Sequence, residues 1–171
     1  KPFVYRCINR LDRDTTGLTI VAKHALAGGI LGNAVAKRAI HRTYYAVCSG
    51  CTPAYMRISA PIARKDASTI ERCVDFKRGE NAVTDFIRIK YNPDNNLSLV
   101  KLRLLTGRTH QIRVHMKYIG FPLIGDFLYN PDYTYISRQA LHSGRLVFTH
   151  PVTGQKMNLI SDIPSDMKSL F

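Results

Sequence analysis

Two short stretches of this chain gather more reactive side chains than local structure requires. The first is Arg10-Leu11-Asp12-Arg13-Asp14-Thr15-Thr16-Gly17-Leu18, which packs two aspartates and two arginines into residues 10–14. A carboxylate set among guanidinium groups is held in its charged form, because opposite charge within a few ångströms favours that form. It is the form a carboxylate nucleophile must have. The same residues also suit a solvated Asx-type turn, with Asp14 or Thr15 capping backbone amides. The stretch by itself leaves both readings open.

The second stretch is Thr106-Gly107-Arg108-Thr109-His110-Gln111-Ile112-Arg113-Val114-His115, with two arginines and two histidines in residues 108–115. On a helix, positions 109 and 113 share a face, as do 108, 111 and 115, with Ile112 between the two groups. Gly107 permits close backbone approach, and a helix N-terminus adds exposed amides and partial positive charge. Together these suit a phosphate. The alternative is a surface helix whose basic residues only solubilise it, with Ile112, Met116 and Ile119 as its core face.

Other reactive side chains are less telling. His110 and His115 are five apart rather than four, a poor match to a two-histidine metal pair, so no metal is expected. His142 and His150 read as structural hydrogen-bonding residues, since no Ser or Cys nucleophile motif accompanies them. Cys48-Ser49-Gly50-Cys51 is an isolated CxxC with no second pair to complete a zinc set. Reduced thiols are the expectation.

The elements that must position these groups are mostly strands. Phe3–Ile8 and Leu18–Ala22 are apolar runs rich in β-branched and aromatic residues, flanking the first stretch. Ala25–Arg38 has helical spacing, weakened by Gly28 and Gly29 and followed by a basic end. Thr43–Cys48 is a strand, and 53–61, bracketed by prolines, is a loop. Thr69–Phe76, Ala82–Tyr91 and Leu97–Leu105 follow as three strands of an antiparallel meander, with turn signals at Arg78-Gly79-Glu80 and Asn92–Asn96. Thr109–Tyr118 is a helix, with Thr109 as N-cap and Gly120 as stop. Ala140–His142 and Leu146–Phe148 are strand-like, His150–Gly154 is a hairpin turn into Lys156–Ile160, and a short helix begins near Pro164 with Ser165 or Asp166 at its cap. The expected fold is α+β, a mixed, mostly antiparallel sheet with flanking helices in one domain spanning 1–171.

Composition narrows the partner. The chain has 171 residues, 45% hydrophobic and 22% charged, which is globular rather than disordered. Twenty-five Lys and Arg against twelve Asp and Glu give a formal charge of +13, and the sequence pI is about 9.9. A folded domain this basic most often meets nucleic acid. No apolar run is long enough to span a bilayer and no basic amphipathic helix points to a membrane surface. The chain opens on Lys1-Pro2 with little sequence before Asp12, and is expected to lack an upstream N-terminal segment.

Taken in order, the motifs resemble the RluA-type pseudouridine synthases. Arg10–Leu18 is similar to that family's His-Arg-Leu-Asp-x-x-Thr-Ser/Thr-Gly signature, and Thr106–His115 to its Gly-Arg-x-His-Gln-Ile-Arg-x-His motif. Arg42-Thr43-Tyr44-Tyr45-Ala46 resembles its Lys/Arg-x-Tyr-x-Ala strand. Gly120-x-Pro122-x-x-Gly125-Asp126, Ala140-Leu141-His142 and Phe148-x-His150-Pro151 also match. Asn9 stands where the family has His. The family's upstream Asn-Lys-Pro-x-Gly segment and S4-like domain do not occur within these 171 residues.

The resemblance implies isomerisation of uridine to pseudouridine in structured RNA, ribosomal or transfer, with no metal and no organic cofactor. By it, Asp12 is the nucleophilic carboxylate, Arg113 its buried basic partner, and Tyr44 packs on the target base. Ile112, with Arg10 and Leu11, lines the substrate pocket. Arg13, Arg108, His110, Gln111 and His115 are candidate RNA contacts, and Arg64, Lys65, Lys117 and Arg138 candidate backbone contacts. A monomer in the cytoplasm, with no DNA or membrane partner, is the accompanying expectation. The chemistry fits these residues: uracil leaves as a stabilised anion, so the second carboxylate a glycosidase uses as general acid is less necessary, and flipping the base out of its stack costs a few kcal/mol that phosphate contacts can offset. Two other readings remain at this level. A silent RNA-binding domain has no need of a carboxylate facing phosphate. A metal-dependent nuclease would have to cluster Asp12, Asp14 and Asp126.

Overall fold

The computed structural model describes residues 4–171. In chain order the elements are β1 (Arg6–Cys7), β2 (Thr16–Gly17), β3 (Val21–Ala22), α1 (Ala25–Ala36), β4 (His41–Ser49), β5 (Tyr55–Ser59), β6 (Ile62–Arg64), β7 (Arg72–Val74), β8 (Val83–Asn92), β9 (Leu97–Leu104), α2 (Gln111–Tyr118), β10 (Leu141–Thr149), β11 (Lys156–Ile160) and α3 (Ser165–Lys168). The main sheet runs β11-β10-β4-β9-β8-β5 with antiparallel neighbours, and β2 joins β10 as a parallel pair. The α+β, mostly antiparallel architecture expected from the sequence is the one observed.

The sheet is covered on both faces, and the period of two along β4 shows how. Tyr44, Ala46 and Cys48 point into the cluster formed with Phe86, Val100, Leu102, Ile112 and Met116. Val47, between them, points into a second cluster with Leu97, Ile124, Ile136 and Met167. α2 therefore packs on the Tyr44 face. α1 covers the far end of β10, where Ala27 and Leu31 meet Leu146 and Phe148.

Several sequence expectations need correction. Residues 53–61 contain the edge strand β5, which pairs with β8 in a register that places Arg57 opposite Asp85. Its bracketing prolines obscured an alternating pattern, exposed at Tyr55, Arg57 and Ser59 and buried at Ile58. The three-strand meander is a hairpin of β8 and β9 only. The first segment, Thr69–Phe76, shortened to β7, pairs instead with β6 in a separate two-stranded arm. The two strand-like pieces at 140–148 are one strand, β10, carrying an irregularity between Ser143 and Arg145. α1 ends at Ala36, and its N-cap is His24, whose Nδ1 accepts from the Ala27 amide at 3.3 Å. α2 begins two residues later than expected: its N-cap is His110 rather than Thr109. Pro164 precedes α3, with no side-chain cap from Ser165 or Asp166. The flanking strands of the first stretch shrink to β1 and β3, paired Arg6 with Ala22 and Cys7 with Val21; Phe3 lies outside the described residues.

Candidate active site

The loop from Ile8 to Thr15 is held at both ends. Asn9 is buried, its Oδ1 accepts the Ile20 amide at 3.1 Å, and its carbonyl accepts the Thr19 hydroxyl at 2.9 Å. Asn9 is thus the staple across the loop's entry. Between them, the Thr15 amide donates to the Asp12 carbonyl at 3.0 Å, closing a tight turn in which Asp14 has φ +69°. A short aspartate tolerates that left-handed conformation. Beyond the turn, Gln139 Nε2 donates to Thr15 Oγ1 at 2.6 Å, and Leu18 and Ser143 exchange bonds of 2.9 and 3.0 Å. Gly17 is required there: with φ +105°, a Cβ would lie 2.3 Å from the Ser143 carbonyl oxygen. Asp14 turns outward to Arg13 at 3.1 Å, and the capping of backbone amides by Asp14 or Thr15 is not observed.

This staging presents Asp12 to Arg113, which rises from the first turn of α2. Arg113 is buried, with Nη1 at 3.4 Å from Asp12 Oδ2. Its stronger partner is Asp126, which accepts Nε at 2.7 Å and Nη2 at 2.8 Å. Asp126 is itself fully buried and also accepts the Leu128 and Tyr129 amides at 3.0 and 3.2 Å. Burial works against the Arg113 charge, but the bonds and charge of Asp126, joined by Asp12, overcome it and raise its pKa above the ordinary value. The rings of Phe127 and Tyr129 lie 5.3 and 5.0 Å from the guanidinium carbon, close enough for cation–π attraction.

Beside Asp12 is a small cavity of about 100 Å³, lined among others by Leu11, Tyr44, Ile112, Leu141, His110 and Arg42. Ile112 and Tyr44 are buried core residues that give it an apolar wall. Burial raises the Tyr44 hydroxyl pKa, with the charge and hydrogen bonding of Arg42 opposing and the charge of Asp12 adding to the rise. The hydroxyl is therefore protonated at neutral pH. Two larger cavities, about 550 and about 500 Å³, meet at Gly107 and Arg108, which also edge the small one. One holds Arg64, Arg72 and Arg78, the other Arg38, His41, Arg42 and Arg103.

Asp12, Tyr44, Arg113, Ile112, Leu11 and Arg10 converge on the small cavity or its back wall. Two candidate RNA contacts do not reach the surface. Gln111 is buried, donating to the Val83 carbonyl and Thr84 hydroxyl at 3.0 Å and accepting the Arg108 amide at 2.9 Å and the Thr106 hydroxyl at 2.8 Å. His115 is fully buried between Thr84 Oγ1 at 2.9 Å and the Ala60 carbonyl at 2.8 Å. Both fix α2 and the loop before it from inside. Because α2 starts at Gln111, Arg108 and Thr109 lie on that loop, and the face shared by 108, 111 and 115 does not form. Arg108 stands at the cavity junction, paired with Glu80. Arg13 is exposed and stacks 4.3 Å over Phe127. Among the proposed backbone contacts, Arg138 is engaged by Asp166 at 2.9 Å and Lys65 by Glu71 at 2.9 Å. His142 bonds Thr16 Oγ1 at 2.9 Å and the Ser161 carbonyl at 3.2 Å, and His150 accepts the Thr153 amide at 3.1 Å.

Phe127, Tyr129 and Gln139 are residues that sequence reasoning left without a role at the site, and Asp126 entered only in the nuclease reading. Gly125-Asp126 stood in a quoted motif, and that was the available signal. Gly125 has φ +67° and no room for a Cβ, which would lie 2.1 Å from the Arg138 carbonyl oxygen. Among the described residues no three His, Cys, Asp or Glu side chains gather as a metal cluster; Asp14 faces Arg13 and Asp126 faces Arg113, so the three-aspartate set is not assembled.

Comparison with known proteins finds relatives by sequence and by fold. Residues 1–118 match a family profile described as RNA pseudouridylate synthase. An "Uncharacterized RNA pseudouridine synthase YjbO" of Bacillus subtilis is 47% identical over 166 residues, covering 96% of this chain and 57% of that protein. A "Ribosomal large subunit pseudouridine synthase D" of Zymomonas mobilis is 37% identical over 174 residues, covering 96% of this chain and 54% of its own length. The chain thus spans a little over half the length of these curated relatives. The solved structure of "Human RNA Pseudouridylate Synthase Domain Containing 1" superposes with a TM-score of 0.82 at 26% identity, covering 93% of this chain and 69% of that one.

Proposed function

The chain belongs to the RNA pseudouridylate synthase family, of the RluA type its motifs resemble, and on that premise we propose that it converts selected uridines of structured RNA to pseudouridine with Asp12 as the attacking carboxylate. The observation that carries the reading is the unequal grip of Arg113 on two carboxylates. A nucleophile must be charged and yet keep lone pairs free. Asp12 lies at the edge of hydrogen-bond range of a cation that Asp126 already holds in place.

In this reading Asp12 meets C1′ of the target nucleotide. An Asp12 oxygen bonds C1′ as the C1′–N1 bond breaks and its electron pair leaves with the uracil ring; the ring turns, and C5 bonds C1′ and displaces the carboxylate, which is regenerated. One proton leaves C5 and one arrives at N1, so no cofactor is called for. Tyr44 and Ile112 hold the detached ring. Arg10 and Arg13 flank the vacated stack, and the arginine-lined cavities on either side of Gly107-Arg108 take the flanking phosphates. The 171 residues act as one catalytic domain. Large-subunit ribosomal RNA is the first substrate class to try, because the Zymomonas relative carries that name; transfer RNA is the second.

The test uses unmodified transcripts of large-subunit ribosomal RNA and of tRNA, incubated with the purified chain and scored for pseudouridine position by position. Conversion at one or a few sites, absent with Asp12→Ala, is the expected result. Conversion that persists in Asp12→Ala removes Asp12 from the reaction. RNA binding without conversion by the unaltered chain favours the silent binder.

A further inference from the structure

Resting on the reading above, the structure assigns a further catalytic residue: we propose that His110, as a neutral imidazole, donates a hydrogen bond from Nε2 to a carbonyl oxygen of the uracil as it leaves C1′. The argument begins with the tautomer. A phenol has one hydrogen to give. The Tyr129 oxygen accepts the Arg72 amide at 2.8 Å and lies 2.9 Å from His110 Nδ1, and assigning the phenol's one hydrogen to that second contact satisfies both groups. Nδ1 is then the acceptor, and a neutral ring carries its hydrogen on Nε2. The assignment comes from the hydrogen-bond network. Among the described residues Nε2 has no hydrogen-bond partner, and His110 is one of the residues that line the cavity with Asp12, Tyr44 and Ile112.

Backbone geometry points the same way. His110 has φ +56° and ψ +19°, left-handed for a residue with a Cβ, and makes no side-chain cap although it occupies the N-cap position of α2. Such conformations are costly and persist where the surroundings enforce them, most often at functional sites. Here the enforcement is visible. Gln111 pins the Arg108 amide and the Thr106 hydroxyl on one side, and Tyr129 holds the ring on the other. An ordinary N-cap would be Ser, Thr, Asp or Asn with its oxygen turned back to the helix; this one turns its ring to Tyr129 instead, at a position that lines the cavity. Burial lowers the His110 pKa, with Asp12 opposing, so the imidazole is uncharged at neutral pH.

The chemistry needs such a donor. When the C1′–N1 electron pair leaves with the ring, negative charge spreads onto the ring oxygens. A fixed N–H aimed at developing charge is worth a large rate factor in a site closed to water. His110 neither gains nor loses a proton in the cycle. A neutral donor also avoids setting a second full positive charge beside Arg113.

The experiment compares single-turnover conversion and RNA affinity on the same transcripts for the unaltered chain, Asp12→Ala, His110→Ala, His110→Gln, His110→Leu and Tyr129→Phe, with thermal unfolding of each. We expect His110→Ala to slow conversion at saturating RNA by about 10²–10³-fold, with affinity within about tenfold because the basic surface carries most binding. His110→Gln, which keeps an N–H, regains a substantial part of the rate, and His110→Leu does not. Tyr129→Phe, which frees the tautomer, has a smaller defect of the same kind. An unchanged rate in His110→Ala, a loss only in affinity, or equal rates for the Gln and Leu variants overturns the assignment while leaving Asp12 in place. Inactivity of the unaltered chain on both RNAs overturns the functional reading, and this inference with it.

Discussion

On its inner side Arg113 meets a carboxylate that is fully buried, takes two guanidinium bonds at 2.7 and 2.8 Å, and collects two backbone amides besides. On its outer side it meets one whose side chain is 22% exposed and whose oxygen stays at 3.4 Å. Asp126 is a strut, with its lone pairs occupied. Asp12 sits on a loop pinned at Asn9 and Thr15 and is left under-bonded in between. The difference teaches how one cation serves two purposes. A buried ion pair is rarely a net source of stability, but removing one member leaves an uncompensated charge. Asp126 therefore secures the position of the guanidinium, and a guanidinium so secured can lean on Asp12 without occupying it.

The sharpest way to break this contrast is to delete each carboxylate in turn. Asp126→Ala is expected to cost about 3–5 kcal/mol of stability, the usual penalty for orphaning a buried charge, read as a fall in the denaturant midpoint. Asp12→Ala is expected to leave that midpoint nearly unchanged and to abolish conversion. Equal destabilisation by the two substitutions would show that both are struts. Arg113→Lys is the next test. A lysine is a single point charge and cannot make the fork to Asp126 while touching Asp12. Both stability and conversion should fall, stability by less than in Asp126→Ala because a charge remains. A variant with full activity would mean that charge alone, not the fork, sets up Asp12.

The outer half of this arrangement was legible in the sequence and the inner half was not. Asp12 and Arg10 stood out by density of charge in a turn, and the run holding Ile112 and Arg113 by its arginines and histidines, but each stretch had an ordinary structural reading beside it, and the roles of Asp12, Arg113, Ile112 and Tyr44 came from the family resemblance. Asp126 lay in a loop whose form depends on Gly125 pressing against Arg138, a contact 13 residues apart in sequence that no local pattern encodes. Gln111 and His115 were misplaced for a related reason: helical spacing gave them a shared face with Arg108, but α2 starts only at Gln111, and both side chains are claimed by Thr84 on β8. The strand β5 was lost between two prolines, and its evidence, a cross-strand register with β8, exists only after folding.

The buried histidines of the surrounding frame carry a pH signature. His115 and His142 are buried and hydrogen-bonded as neutral rings, and burial lowers the pKa of each, with the Ala60 and Ser161 carbonyls opposing. In the unfolded chain these rings titrate near the ordinary value of about 6.5. Between the lowered folded value and that one, the unfolded state binds more protons, so stability falls as pH falls through this window. The unfolding midpoint should drop between pH 7.5 and 5.5, and the drop should shrink in His115→Gln. A drop of undiminished size in that variant would move its source elsewhere.

The smallest expected effect sits at the outermost cation. Arg13 is exposed, stacks 4.3 Å over Phe127 and pairs with Asp14 at 3.1 Å. Exposed pairs of both kinds contribute under about 1 kcal/mol, so Arg13→Ala should scarcely move the unfolding midpoint. The Arg113 guanidinium carbon lies 5.3 Å from the same ring, so Phe127 contacts both a buried cation and an exposed one. If Arg13 serves the RNA, its loss should weaken binding evenly across sequences and reduce the slope of affinity against salt by about one phosphate contact. An unchanged salt slope with a lowered midpoint would place Arg13 with the inner frame and move the boundary between the two halves outward past Phe127.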